Sequence, residues 1–299
     1  MKQTKRQRRR TLADLLISGF NSIRFKIIEP LELVISRIRY GNAYNDEKEP
    51  LVSVRINTFN RGKLLVERAV ASVLSQTYKN LELVIVGNHC TDDTEKLLSK
   101  ITDSRLRFYN LPFRKFKHPD NIEIHWLMGG IYAYNKNLDM IRGKWTCWLG
   151  DDDTWTPDFI ETMLQFAQNG NYEFVSAQYI EERYGKRTIV DGERAEGFYY
   201  TRRQNKNDKS PKIGGIQTWL HRSYLRSFKL NENCWRKSWN RPVDADISLR
   251  FYNSGVRMGF LPKVVAYVLP RPGEETIGLD AYKKKESEYL SELNKQDAI

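Results

Sequence analysis

The sequence is poor in cysteine and histidine, and this scarcity excludes several classes of protein. Its three cysteines form no CxxC pair and no even set, which excludes a disulfide scaffold and a zinc ribbon and suits a reducing compartment. The four histidines are scattered without metal-ligand spacing. Neither a GxGxxG turn nor a GxxxxGK[ST] loop occurs, so a dinucleotide oxidoreductase and a P-loop NTPase are disfavoured.

Long apolar runs are missing as well. A membrane-spanning helix needs about 20 predominantly apolar residues, and polar residues interrupt every window of that length near the N-terminus. No clear signal-peptide pattern is present either. With 299 residues, 40% hydrophobic and 29% charged, the chain is neither a polytopic membrane protein nor wholly disordered. It is long enough for one large domain or two modest ones.

Positive charge is in excess. The 49 Lys and Arg residues against 37 Asp and Glu residues give a net charge of +12. Such a balance attracts polyanions, namely nucleic acid, anionic lipid or phosphorylated substrates. Part of the excess lies at one end, where six basic residues precede the first acidic one: Lys2, Lys5, Arg6, Arg8, Arg9 and Arg10.

The first fifty residues differ from the rest. Between 11 and 41, apolar residues recur at roughly helical spacing. This pattern is typical of a basic amphipathic helix lying on an anionic membrane surface. It is equally typical of a helix that packs on the main domain and carries a frayed basic tail. Both interpretations of residues 1–40 stay open at this point.

From Leu51 the pattern alternates between strand and helix. Apolar, β-branched segments predict strands at 51–58, 81–86, 106–110 and 145–149, and helical periodicity predicts helices at 62–76 and 129–142. Two further helices are predicted to begin with an N-cap box at Asp92 and at Thr156–Pro157. Such alternation predicts an α/β fold with a mostly parallel sheet and helices on both faces.

After residue 170 the pattern loosens. It predicts a hairpin (172–180 and 186–190 around Gly185), a mobile loop at 201–213, a helix at 244–254 and a last strand at 263–269. We therefore divide the chain into an N-terminal extension (1–50), a nucleotide half (51–170), an acceptor half (171–270) and a polar C-terminal tail (271–299).

Polar residues follow three of the predicted strands, where ligands bind in open α/β sheets. They are Asn57–Arg61, Gly87–Cys90 and Gly150–Asp153. Three adjacent carboxylates repel one another unless a cation or hydrogen-bond donors offset them. Mg²⁺ and Mn²⁺ prefer such oxygen ligands. The alternative is a solvated loop whose aspartates cap the next helix.

The order of these motifs resembles a known family. VSVRINTFNR, then ERAVASVLSQTYKNLELVIVGNHCTDDT, then GKWTCWLGDDDTWTPDFIE closely resembles the inverting family 2 glycosyltransferases with the GT-A fold. The match covers about 51–160 and is weaker from 170 to 270. It implies a GT-A Rossmann-like sheet, preceded here by the amphipathic helical segment, and use of a nucleoside-diphosphate sugar.

The resemblance also implies a metal site. Pro157 lies five residues after Asp152, which places Asp152 at the family's metal-binding aspartate, with Asp153 beside it and Asp151 near the ribose or the metal. Mn²⁺ or Mg²⁺ is the expected ion. Gly150 stands where the usual pattern has its first aspartate, which removes one contact to the ribose or uridine.

Nucleotide-binding residues are carried over in the same way. Thr58, Asn60 and Arg61 are expected to border the nucleotide. Asn88 replaces the aspartate that commonly contacts the base, so a nucleotide sugar is better supported than a UDP-sugar in particular; we favour UDP and keep GDP open. Asn135 corresponds to a family asparagine beside the donor site, or is an ordinary polar position on a helix.

Inverting transfer needs a base near the acceptor hydroxyl. RPVDADISLRFYNSGVRMGF resembles the family's Glu-Asp-x-x-Leu-x-x-Arg helix, which aligns Asp244 with the usual base, Asp246 being the alternative. Val243 replaces the customary acid, and Asp244 could instead only cap the helix. Tryptophans downstream of the sheet are candidates for stacking on sugars or for core packing: Trp219, Trp235 and Trp239.

We therefore predict a metal-dependent hexosyltransferase acting on a glycan or lipid-linked acceptor hydroxyl. We expect it in the cytoplasm, peripheral at the inner membrane face if residues 1–40 bind lipid. Three alternatives remain: a basic nucleic-acid-binding protein without a recognisable motif, a nucleotidyltransferase lacking its Gly-rich loop, and an inactive relative with the GT-A fold.

Overall fold

A computed structural model describes residues 11–45, 47–115, 121–195, 210–237 and 242–285. Eleven strands occur in this part of the chain: β1 Val52–Thr58, β2 Leu81–Gly87, β3 Leu106–Asn110, β4 Trp145–Gly150, β5 Thr154–Trp155, β6 Phe174–Arg183, β7 Lys186–Val190, β8 Glu193–Arg194, β9 Lys212–Ile213, β10 Leu220–Arg222 and β11 Met258–Val268.

The helices complete the architecture. A long N-terminal helix, α1, comprises Leu12–Ile23, a wider π-helical turn Arg24–Ile28, and Glu29–Asn45. Helix α2 runs from Gly62 to Leu74 through a π-helical middle. Shorter α-helices follow in the described part of the chain: α3 Thr94–Leu98, α4 Ile122–Met128, α5 Ile131–Leu138, α6 Phe159–Asn169, α7 Val243–Asn253 and α8, residues 278–285.

One sheet runs through both predicted halves. Its order is β3-β2-β1-β4-β10-β6-β11-β5, with β7 paired to β6. Strands β3, β2, β1 and β4 are parallel, β10 is antiparallel to both β4 and β6, and β11 runs parallel to β6. The predicted mostly parallel sheet is therefore confirmed. The two short strands β8 and β9 form a separate ribbon.

Two hydrophobic cores flank the sheet, as expected for parallel strands that are covered on both faces. One core joins β1, β2 and β4 to helices α2 and α6. The apolar face of α6 is buried there, and Trp155 stacks on Phe159 with ring centroids 3.9 Å apart. The second core joins α4, α5 and α7 to the segment between β9 and α7. Trp219 and Trp235 are buried in this second core, so they pack rather than present their faces to a sugar; Trp239 lies outside the described residues.

Several predicted boundaries differ from the structure. Helix α3 begins at Thr94 after Asp93, and its capping box is absent: Asp92 instead accepts hydrogen bonds from the backbone of Thr94 and of Gly62. Helix α6 begins at Phe159, two residues later than the Thr156–Pro157 prediction. The hairpin around Gly185 is confirmed. The last strand is longer than predicted, beginning at Met258, and most of the predicted loop at 201–213 lies outside the described residues.

Candidate functional site

The predicted binding loops meet at one edge of the sheet. Strand β1 lies between β2 and β4, with Thr58 opposite Gly87 and Asn57 opposite Gly150. Because the three strands are parallel, the loops that follow them leave the sheet side by side. The sequence predicts polar residues at the ends of these strands, which is where ligands bind in open α/β sheets.

The acidic run at the end of β4 is held by groups from β1 and α2. Asp151 is buried, and its two carboxylate oxygens accept hydrogen bonds from Thr58 Oγ1 (2.8 Å) and Arg61 Nη1 (2.9 Å). The Asp152 side chain remains 28% exposed, and Arg61 Nη1 lies 3.6 Å from its Oδ2. Asp153 is buried, and within the described residues its carboxylate accepts no hydrogen bond. The three aspartates therefore differ in their surroundings: Asp151 is fixed by hydrogen-bond donors, Asp152 is partly exposed to solvent, and Asp153 is buried without a donor from the described part of the chain.

Charge in this loop is only partly offset. Burial raises the pKa of Asp151 despite the nearby Arg61 guanidinium. Burial, reinforced by the charges of Asp152 and Asp151, raises the pKa of Asp153 well above its usual value. Burial disfavours the charged form of Arg61, but Asp151, Tyr282 and Asp152 more than compensate, so the pKa of Arg61 is held above its ordinary value. Such a site favours an additional cation.

Gly150 is required by the close approach of its neighbours. A Cβ atom at this position would lie 2.6 Å from Asp153 Oδ2 and 3.2 Å from Asp152 Oδ1. The departure from the family pattern at this position is therefore matched by the local packing, since Asp153 occupies the space that a side chain on residue 150 would need.

A pocket of about 300 Å³ opens beside this loop. It contains the acidic run, and two arginines face it: Arg61 and Arg271, whose Nε lies 3.9 Å from Asp152 Oδ2. Three aromatic side chains and one amide side chain also line the pocket: Trp126, Trp148, Tyr282 and Asn57. The combination of carboxylates, guanidinium groups and aromatic rings suits an anionic ligand that carries a ring and a cation.

A divalent cation fits the donor set of this pocket, provided that the ligand supplies the remaining oxygens. Among the described residues, no group of three His, Cys, Asp or Glu side chains is arranged to hold a metal ion on its own. Hard cations such as Mg²⁺ commonly bind through one or two carboxylates and fill the other positions with water and substrate phosphates. Two carboxylates are available for this role. Asp152 is partly exposed at the pocket, and Asp153 has no hydrogen-bond donor among the described residues.

The C-terminal tail forms one wall of the pocket, which the sequence did not reveal. Arg271 donates to Glu274 Oε2 (2.8 Å) and lies 5.0 Å from the centre of the Tyr282 ring. The Tyr282 hydroxyl accepts a hydrogen bond from Arg61 Nη2 (3.0 Å). From α2, Arg68 donates to the backbone carbonyls of Asp152 (3.1 Å) and Pro270 (2.8 Å). From the sequence alone this segment looks like a polar tail, because the residues that it contacts lie about 120 to 220 positions away in the chain.

Asn57 also lines the pocket, although the sequence pattern indicated no specific role for it. Its Oδ1 accepts a hydrogen bond from Trp148 Nε1 (3.0 Å), while its buried Nδ2 has no partner among the described residues. A buried amide donor without a partner is unfavourable unless a ligand pairs with it. Its place at the end of β1 was the only sequence signal.

Four predicted nucleotide-binding residues lie outside the pocket lining: Thr58, whose hydroxyl donates to Asp151, and three asparagines. Asn60, with φ of 52°, exchanges hydrogen bonds with Thr91 and so joins the loops after β1 and β2. Asn88 is buried and donates to the carbonyl of Gly129 (3.0 Å). Both amide atoms of Asn135 bond the backbone of Leu230. In this structure all three asparagine side chains support loops rather than the pocket surface.

The two candidate bases have different environments. Asp246 is buried and paired with Arg250 Nε (3.0 Å) and with Lys237. Asp244 is half-buried at the first turn of α7, where its Oδ1 accepts from the Ala245 backbone amide (2.8 Å), and burial raises its pKa. Asp244 has no ion-pair partner among the described residues.

Tyr179 lies within electrostatic range of both Asp244 and the acidic loop. Burial, then the charges of Glu181, Asp244 and Asp153, raise the pKa of Tyr179 to about 12. The carboxylates of Asp244 and Asp153 therefore both act on the Tyr179 hydroxyl, from α7 and from the loop after β4. Asp244 is not among the residues that line the pocket, and Asp246 is held by its cations.

The chain is similar to known proteins in sequence and in fold. The profile of Glycosyl transferase family 2 matches residues 53–228. The chain is 31% identical, over 133 residues, to the UDP-Glc:alpha-D-GlcNAc-diphosphoundecaprenol beta-1,3-glucosyltransferase WfaP of Escherichia coli. It is 27% identical, over 138 residues, to the GalNAc(5)-diNAcBac-PP-undecaprenol beta-1,3-glucosyltransferase of Campylobacter jejuni.

These two alignments cover 44% and 46% of the chain and 47% and 40% of the relatives, so the match spans less than half of each relative. Among solved structures, residues 1–349 of S. aureus TarS in complex with UDP-GlcNAc superpose with a TM-score of 0.54 at 16% identity, covering 75% of this chain and 60% of that TarS chain. The Pyrobaculum calidifontis mannosyltransferase PcManGT, in complex with GDP-Man and Mn²⁺, gives 0.54 at 17% identity, covering 88% and 70%. The expected GT-A fold is confirmed.

Proposed function

The chain belongs to glycosyl transferase family 2, and on that premise we propose that it transfers a sugar from a nucleoside-diphosphate sugar to a hydroxyl group of a lipid-linked glycan, with inversion at the anomeric carbon. The strongest support is the convergence of Asp151–Asp153, Arg61 and Arg271 on one pocket at the ends of the parallel strands.

The donor binds with its diphosphate beside the acidic loop. Arg61 and Arg271 are the cationic side chains there, and they attract the phosphates directly. Asp152 and Asp153 would hold a divalent cation, which supplies charge neutralisation on the leaving diphosphate when bound. The free Nδ2 of Asn57 donates to an acceptor atom of the nucleotide or the sugar.

Asp244 is the base in this proposal. It accepts the proton of the acceptor hydroxyl as that oxygen bonds to the anomeric carbon, and the bond from this carbon to the phosphate oxygen breaks on the opposite face. The electron pair leaves with the nucleoside diphosphate. Asp246 is not assigned this role, because its carboxylate is already paired with Arg250 and Lys237.

The names of the relatives support the choice of substrates. UDP-glucose and diphosphoundecaprenol appear in the name of the Escherichia coli relative, and a polyprenyl diphosphate in that from Campylobacter jejuni. We therefore favour a UDP-sugar, with a GDP-sugar as the second choice, and an acceptor joined to a membrane lipid. A location at the membrane periphery follows from such an acceptor.

Thermal unfolding with nucleotides tests the donor site. UDP, GDP, CMP and dTDP are each added with and without Mn²⁺. A ligand at about a hundred times its dissociation constant stabilises the fold by about 2.7 kcal/mol. We expect UDP to raise the melting temperature in the presence of Mn²⁺, and Asp152→Asn to lose this response while the exposed Asp93→Asn keeps it. No shift with any nucleotide would overturn the proposed function.

A further inference from the structure

Helix α1 is oriented with its apolar side away from the protein. Eleven of the sixteen exposed large apolar side chains in the described part of the chain belong to this one helix. They recur every three to four residues along its length: Leu12, Leu15, Leu16, Phe20, Ile23, Ile27, Ile28, Leu31, Val34, Ile35 and Ile38. We call these residues the apolar stripe. An exposed apolar surface of this extent is uncommon on a protein without a binding partner for it.

The inner side of α1 is attached to the protein largely through charge. Glu29 is fully buried and bonds Arg250 Nη1 at 2.6 Å. Arg37 makes a two-pronged contact with the buried Glu173, at 2.7 and 2.6 Å. Asp14 pairs with Arg236 at 2.7 Å. These contacts fix the rotation of the helix, so the apolar stripe cannot turn inward without breaking buried ion pairs.

The exposed charges around the stripe are all positive. Between residues 11 and 41, the exposed charged side chains are Lys26 and Arg39, whereas each acidic residue of this span is turned at least partly inward. Six basic residues precede the helix in the first ten positions of the sequence. A second copy of the chain would bring like charges together on this face, whereas an anionic surface complements them.

From this combination we propose that α1 is a membrane-docking helix: the apolar stripe lies in the plane of an anionic lipid bilayer, with Lys26 and Arg39 at the headgroups. The stripe extends over 26 residue steps, about 39 Å at 1.5 Å per residue. No helix among the described residues is long and apolar enough to cross a membrane, and a helix with one apolar and one polar side lies in the interface instead.

Helix α7 both carries the proposed base and holds the docking helix α1. Helix α7 carries Asp244 at its first turn and Arg250, the partner of Glu29, near its end. A bilayer bound to α1 therefore lies on the side of the acceptor half. This last consequence rests on the proposed function, because only then does Asp244 need access to a lipid-linked substrate; the docking itself does not.

Vesicle flotation of the full chain tests the docking. Two vesicle types are used, phosphatidylcholine alone and phosphatidylcholine with about a third phosphatidylglycerol. A triple variant, Leu16→Gln, Phe20→Gln and Ile27→Gln, removes apolar side chains that are all more than 60% exposed. A matched control triple variant carries Phe113→Gln, Tyr184→Gln and Ile189→Gln, which are similarly exposed but lie outside α1.

We expect the wild type and the control to float with the anionic vesicles, and the α1 variant to bind at least about tenfold more weakly. Added salt should weaken wild-type binding, since part of the attraction is electrostatic. The proposal is overturned if the α1 variant binds like the wild type, if the wild type binds neither vesicle, or if sedimentation shows a dimer that only the α1 variant dissolves.

A second measurement reads out insertion directly. All three native cysteines are buried, so Ile27→Cys can be labelled selectively with an environment-sensitive fluorophore, with Ile189→Cys as the control. We expect a blue shift on vesicles for the label on α1 alone; equal shifts at both positions would contradict docking. The UDP-dependent thermal shift should be the same in all these variants, so failure of the donor site and failure of the docking surface are separate results.

Discussion

The nucleotide half and the acceptor half are stabilised in different ways. In the nucleotide half, strands β1, β2 and β4 are almost continuously buried and pack on apolar helix faces. In the acceptor half, buried ion pairs with helix α1 contribute much of the organisation: the fully buried Glu173 binds Arg37 of α1 as well as Tyr224, and Arg250 binds the fully buried Glu29 of α1. Burial opposes ionisation of Glu173, but its hydrogen bonds from Arg37, Arg257 and Tyr224 lower its pKa.

This contrast separates the part of the protein that we propose binds the donor from the part that we propose faces the acceptor. Apolar packing makes a rigid edge on which Asp151–Asp153 can be placed. The ion pair between Glu29 and Arg250 holds α1 against α7, and the apolar stripe lies on the outside. The variants below act on one half or the other.

The largest effect is expected in the nucleotide half, at Asp152. Asp152→Ala removes a carboxylate that would hold the cation, and we expect transfer to fall about a thousandfold or more, as for loss of one strong electrostatic contact in a reaction. The thermal unfolding temperature without nucleotide should stay close to that of the wild type, because this side chain is partly exposed. Steady-state transfer assays measure the loss, and retained activity would remove Asp152 from the site.

Asp244→Asn should give a comparable loss of transfer, on the order of a hundred- to ten-thousandfold, with a different signature. The variant keeps donor binding, so the nucleotide-dependent thermal shift is unchanged. Asp152→Ala should lose both the transfer activity and the nucleotide-dependent thermal shift. This difference between the two variants distinguishes a base in the acceptor half from a donor contact in the nucleotide half.

The pH profile adds a test of Asp244. Burial raises its pKa, and a base must be ionised to accept a proton, so activity should fall with acid at a pH above the range of an ordinary aspartate. Normal transfer by Asp244→Asn, or an unchanged acid limb, would shift the assignment to Asp246.

A smaller effect is expected from the buried charges that hold α1. Arg250→Leu leaves Glu29 and Asp246 buried without this partner, and removing one member of a buried pair costs about 3–5 kcal/mol. Denaturant unfolding measures this loss. Arg187→Leu, which breaks an exposed pair with Glu182, is the matched control and should cost less than about 1 kcal/mol. Equal effects would contradict the view that buried charge organises the acceptor half.

The smallest effect is expected at Asp103, at the surface of the nucleotide half. Hydrogen bonds from Arg105 lower the pKa of Asp103 to about 2. A carboxylate with a lowered pKa contributes stability that is present above its unfolded value, near 3.9, and is lost as the pH falls toward 2. Asp103→Asn should therefore lower stability slightly at pH 7, by less than about 1 kcal/mol for such an exposed pair. Thermal unfolding of both proteins should converge near pH 2, and a constant difference across this range would contradict the assignment.

The amino-acid sequence alone predicts the alternation of strands and helices, the acidic run at the end of β4 and the meeting of three strand-end loops. These follow from local patterns, since parallel strands are buried on both faces and their ends share one edge. The family resemblance added Asp152 and Asp244. The predicted starts of the helices that begin at Thr94 and Phe159 were less accurate. At Thr94 the reason is that Asp92 accepts a hydrogen bond from the backbone of Gly62, and a contact between residues 30 positions apart cannot be predicted from local sequence.

The remaining features depend on contacts between residues that are far apart in the chain. Arg271 and Tyr282 enter the pocket from a tail with no local signal, and Asn60, Asn88 and Asn135 bond to other loops instead of lining it. The amphipathic pattern of α1 could not say which side faces the protein, since periodicity gives an apolar side but not its neighbour. That was decided by ion pairs between residues more than a hundred positions apart, which hold the polar side inward and leave the apolar stripe exposed.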